Sequence, residues 1–84
     1  MVNDQKEDID RIRAMADGLD CLLEEDFRLL AAATQGTIEA WRKRGKGPAY
    51  IRLGNRVLYP RQAVAEHLAS LTRGASEPRR VGYL

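Results

Sequence analysis

The sequence predicts a mainly α-helical domain with one small β-hairpin: three core helices and a further helix at the N-terminus. Three observations carry this. The carboxylates Glu24-Glu25-Asp26 open an apolar stripe, and a threonine-capped segment closes on Arg42-Lys43-Arg44-Gly45. Two β-prone runs, Tyr50–Leu53 and Arg56–Tyr59, are separated only by Gly54-Asn55.

In chain order, residues 1–20 place Ile9, Ile12, Met15, Ala16 and Leu19 at helical spacing on a charged segment, with Asp17-Gly18 as the stop. This acidic extension reads as a short helix, either docked on the domain or ordered only with a partner. The first core helix spans residues 24–33, its carboxylates favouring the positive end of the dipole and Phe27, Leu30 and Ala31 facing inward. Thr34 suits the N-cap of the second, because its hydroxyl accepts from an orphan backbone N–H. Ile38 and Trp41 form that helix's inward stripe, Arg42, Lys43 and Arg44 oppose the negative end of its dipole, and Gly45 stops it.

Gly45-Lys46-Gly47-Pro48 is a loop. A Gly-Asn pair between strands predicts a hairpin with a type II′ turn, which sets Arg52 opposite Val57 and Tyr50 opposite Tyr59. Neither face of that hairpin comes out purely apolar. Pro60 fits the first position of a third core helix, with Val64, Leu68 and Leu71 as its core stripe. Three regions follow: the extension 1–20, a domain over 21–72, and a flexible basic tail over 73–84.

At 84 residues the chain holds one domain at most, and 44 % hydrophobic with 31 % charged residues is a globular composition. No apolar run approaches the roughly 20 residues of a membrane span. The first 20 residues are too polar for a signal peptide. The lone Cys21 excludes an internal disulfide and a thiolate-rich metal site, so a cytoplasmic location is expected. No cofactor or metal is expected. His67, on the third core helix, reads as structural, since it lacks neighbouring metal ligands.

Charge is divided unevenly. Residues 1–26 carry three basic and nine acidic residues, a balance of −6, whereas residues 27–84 carry eleven and three, a balance of +8. Such a split suggests a polyanion-binding part with an acidic appendage. The appendage is a solubilising extension, a partner-binding element, or a cover over the basic face; in the last case deleting 1–20 tightens binding to random DNA. Cys21 and Ser70 have no evident base, no phosphate loop opens a helix, and the carboxylates 24–26 fit a helix dipole better than acid–base chemistry. The chain reads as a non-enzyme.

The motif elements are Thr34-x-x-Thr37-Ile38-x-x-Trp41-Arg42, then Arg44-Gly45-Lys46-Gly47-Pro48, then Arg52-Leu53-Gly54 and Val57-x-Tyr59. In this order the chain resembles the excisionase-type helix-turn-helix proteins, relatives of the AlpA regulators and of the MerR winged-helix DNA-binding domain. The resemblance spans Cys21 to about Leu71, about 51 of the 84 residues. It implies a winged helix-turn-helix on a phage or other mobile element, with the second helix in the major groove and the hairpin wing on the minor groove or backbone. It also implies a role in DNA recombination or transcription regulation. Gly36, Glu39 and Ala40 depart from it where family members often carry Arg or other polar residues, and His67 stands where many carry Trp.

The residues themselves give the same expectation. With Ile38 and Trp41 inward, Gln35, Glu39 and Arg42 or Lys43 face outward on a helix that fits the roughly 12 Å major groove. Gln35 suits adenine N6 and N7, and Glu39 suits cytosine N4 but repels phosphate. Gly36 allows close backbone approach, and Thr34, Thr37 and the helix-start N–H groups suit a phosphate. Arg42, Lys43, Arg44 and Lys46 add phosphate contacts, and Arg52, Asn55 and Arg56 cluster at the hairpin tip. About six such contacts give a slope of log K against log salt of roughly −5.

The expected partner is double-stranded DNA, joined by a recombinase or by further copies of the chain. The function is that of an excisionase-like directionality factor or a small transcriptional regulator. Two alternatives are a protein-interaction adaptor on the same scaffold and the DNA-recognition part of a phage terminase small subunit.

Overall fold

The middle strand of a three-stranded antiparallel sheet organises the chain. The computed structural model describes residues 4–74. Among them, α1 (Asp4–Gly18) leads into β1 (Cys21–Leu23), α2 (Glu24–Ala31) and α3 (Gln35–Arg44). The hairpin β2 (Ile51–Leu53) and β3 (Arg56–Pro60) follows, then α4 (Arg61–Leu71). The sheet order is β1-β3-β2, so the molecule is mainly helical with a small sheet that includes one strand the sequence did not suggest.

Register explains why neither hairpin face looked apolar. Leu23 pairs with Leu58 and Leu22 with Tyr59, while Arg52 pairs with Val57. Paired residues share a face of the sheet. On one face Cys21, Leu23 and Leu58 pack with Ala16, Ile9 and Ile12 of α1. On the other, Val57 and Tyr59 pack with Phe27, Ile38 and Val64, backed by Leu22, Ala33 and Trp41. Consecutive residues Val57, Leu58 and Tyr59 are therefore all buried, which removes the alternation of a one-sided strand. The rings of Phe27 and Tyr59 lie 4.4 Å apart, and Trp41 meets Phe27 edge-on at 6.5 Å.

The hairpin register agrees with the expected one over Ile51–Leu53, and Gly54 alone of the two turn residues has positive φ, at 59°. That is the requirement of a type II′ turn. Tyr50 lies outside the ladder, although its ring stays 6.3 Å from that of Tyr59.

Three expectations are corrected. Leu30 and Ala31 do not turn inward with Phe27: both are exposed, and α2 stops at Ala31 because Ala32 adopts the left-handed region. Leu68 and Leu71 are more than half exposed, leaving Val64 as the buried residue of the α4 stripe. The cause is shared, because the ends of α2 and α4 stand apart across an open groove of about 390 Å³. Pro60 ends β3 and caps α4 with ψ 135°, so the helix begins at Arg61. It pairs with Cys21, and its missing N–H falls where the ladder ends.

The helix α1 is docked by Ile9, Ile12 and Ala16, while Met15 and Leu19 of the expected stripe are exposed. It covers the sheet face away from α3 and lines none of the cleft that holds Lys43 and Arg52. Arg61 ties it down further, bonding Asp17 and reaching Asp20 at 3.3 Å. Residues 75–84, with Arg79 and Arg80, lie outside the described residues. No described helix is long and apolar enough to cross a membrane.

Candidate nucleic-acid interface

Local capping fixes the orientation of α3. The Thr34 hydroxyl accepts from the Thr37 N–H at 3.1 Å and donates to the Thr37 hydroxyl at 3.0 Å. At the other end Gly45 is left-handed at φ 66°, which brings the Lys46 N–H to the Trp41 carbonyl at 2.9 Å. Between the caps Ile38 is fully buried and Trp41 half-buried. The remaining surface exposes Gln35, Gly36, Thr37, Glu39, Lys43 and Arg44. Nothing inside the protein demands glycine at position 36, where a Cβ would meet only the Thr34 hydroxyl, at 4.0 Å.

The three carboxylates that open α2 do more than oppose a dipole. Each binds an arginine from a different element. Asp26 takes Arg13 of α1 through two bonds, at 2.8 and 2.9 Å. Glu24 takes Arg42 of α3, and Glu25 takes Arg56 of β3 at 3.4 Å. The Arg42 side chain is only 11 % exposed, donates to the Tyr59 hydroxyl at 3.1 Å, and lies over the Tyr50 ring at 5.6 Å. Burial works against its charge, but the hydrogen bonds to Glu24 and Tyr59 more than offset this and hold its pKa above arginine's usual value. Burial also pushes the Tyr59 hydroxyl up, with Arg42 pulling partly the other way.

These pairs sort the candidate residues. Glu39, Arg42 and Lys43 of α3 share a cleft of about 280 Å³ with Arg52 of β2 and Tyr50. Thr34, Gln35, Gly36 and Thr37 form the exposed first turn beside it. Asn55 and Arg56 are not gathered there: they border a second groove on the α1 side of the sheet, with Met15 and Leu53. Lys46 borders the apolar groove between α2 and α4, near His67 and Trp41. Among the described residues Lys43, Arg44, Lys46 and Arg52 make no ion pair, whereas Arg42 and Arg56 do. Sequence reasoning missed the carboxylate clamp; its only local signal was three adjacent acids ahead of a chain rich in arginine. No family model, curated protein or solved structure matches this chain.

Proposed function

We propose that this chain is a sequence-specific double-stranded DNA-binding protein of the winged helix-turn-helix type. In this reading α2, the turn 32–34 and α3 form the helix-turn-helix, with α3 in the major groove and β2–β3 as the wing. The observation that carries it is the cleft between α3 and β2, where Lys43 and Arg52 come from different elements and neither has a carboxylate partner among the described residues. Two cations on either side of one cleft suit a phosphate backbone running between helix and wing. The Thr34-capped start of α3 adds free N–H groups that suit a further phosphate.

The role is that of an accessory protein on bacterial or phage DNA, serving a recombinase as an excisionase-like directionality factor or acting as a small transcriptional regulator. Modules of this size bury about 600–1,000 Å² on DNA, so adjacent copies on one site are the expected means of raising affinity. The test is duplex binding by the Lys43→Ala/Arg52→Ala double variant. Loss of at least about tenfold in affinity supports the reading, two phosphate contacts being removed together. Unchanged affinity contradicts it.

An adaptor on the same scaffold is the second reading. It is favoured by the exposure of Leu30, Leu68 and Leu71 around the open groove between α2 and α4.

A further inference from the structure

The outward face of α3 carries an acid where phosphate binding alone would want a base. Glu39 is exposed in the same cleft as Lys43 and Arg52, yet among the described residues no cation pairs with it. Its bond comes instead from Gln35, whose Nε2 donates to Glu39 Oε2 at 3.0 Å and to Glu24 Oε1 at 3.4 Å. Glu24 is in turn fixed by Arg42, so the amide is held between one anchored and one outward carboxylate.

This arrangement changes what the helix can read. An adenine is recognised by a glutamine that offers its N–H₂ and its carbonyl together. Here the Gln35 amide nitrogen is turned to two carboxylates, at 3.0 and 3.4 Å, so the face offers its carbonyl oxygen and the Glu39 carboxylate, both acceptors. In the major groove guanine presents N7 and O6 and thymine presents O4, all acceptors that repel a carboxylate. Adenine offers its N6 amino group beside the N7 acceptor, which opposes the same charge. Cytosine alone offers an amino group, N4, with no acceptor next to it on its own edge.

We infer that Glu39 selects for cytosine in the DNA site, with Gln35 acting as a positioning residue that aims the carboxylate. This rests on the DNA-binding reading above. The uncompensated charge of Glu39 weakens binding to any duplex by repelling phosphate, and only a correctly placed N4 amino group offsets that loss. One side chain then provides both attraction to the right base and repulsion from the rest.

The experiment is selection from a duplex library with a randomised centre, using the full chain and its Glu39→Gln, Gln35→Ala and Lys43→Ala variants, followed by affinity measurements on the selected and random duplexes. Wild type is expected to prefer cytosine at one position by about tenfold, within the range for a single base contact. Glu39→Gln is expected to lose that preference, shift toward adenine and bind random duplex more tightly. Gln35→Ala should keep cytosine as the preferred base with a narrower margin, and Lys43→Ala should weaken binding to all duplexes alike. The same base preference in wild type and Glu39→Gln overturns the inference while leaving DNA binding intact. Absence of any duplex binding by wild type overturns the DNA-binding reading and this inference with it.

Discussion

The guanidinium of Arg42 donates to the hydroxyl of Tyr59 across 3.1 Å, fastening α3 to the middle strand of the sheet. Glu24 holds the same guanidinium from α2, so three elements meet at one charge. A residue whose sequence context suggests a phosphate contact is thereby a brace that fixes how α3 stands against the sheet.

Replacing that brace should cost stability. Arg42→Ala leaves the Glu24 carboxylate, only 15 % exposed, and the Tyr59 hydroxyl without their partner. Unsatisfied groups of this kind cost about 1–3 kcal/mol. Urea unfolding should show that loss for Arg42→Ala. The exposed Lys43→Ala should stay within about 0.5 kcal/mol of wild type.

The same hydroxyl gives an alkaline signature. Burial raises the Tyr59 pKa in the folded state, so the folded chain holds this proton more tightly than the unfolded chain. The stabilisation is fully present below the unfolded value of about 10 and is lost as pH rises through the folded value. Unfolding free energy measured at increasing pH should therefore fall above about pH 10 in wild type. Tyr59→Phe should remove that part of the decline.

Between α2 and α3 the chain turns on Ala32, at φ 54° and ψ 43°. A Cβ in this region costs roughly 1–2 kcal/mol, which glycine avoids at some entropic loss in the unfolded chain. Ala32→Gly should raise stability by about 0.5–1 kcal/mol in thermal or urea melts, and Ala32→Val should lower it.

What was legible in the sequence was local. Thr34 and Gly45 mark the ends of α3 because capping involves residues within a few positions of each other. Gly54-Asn55 set the register of Arg52 against Val57 through the turn type. The strand β1 was not legible, since three residues are too few to show a period. Nor was the fate of Leu68 and Leu71, because periodicity marks a stripe without saying whether another element covers it. The Arg42–Glu24 pair joins residues 18 apart in the chain, and only the packing of α2 on α3 brings them together. Two cations were thereby assigned to DNA that the fold uses to hold itself.

The docking of α1 gives a result opposite to that of a cover over the basic face. Its residues Ile9, Ile12 and Ala16 close the sheet over Leu23 and Leu58. Removing residues 1–20 should expose that cluster, lower the melting temperature and raise binding of a hydrophobic dye, without tightening binding to random DNA.

The most direct measurement is fluorescence anisotropy of wild type with a random duplex and with duplex from its own locus, at salt from about 50 to 200 mM. The candidate cations Lys43, Arg44, Lys46 and Arg52, which make no ion pair among the described residues, set the expected slope of log K against log salt at about −3 to −4 on random DNA, shallower than the −5 that six contacts would give. Binding with that slope, and tighter binding to its own DNA, is the predicted result. No binding at the lowest salt, or binding indifferent to salt, would contradict a DNA-binding function.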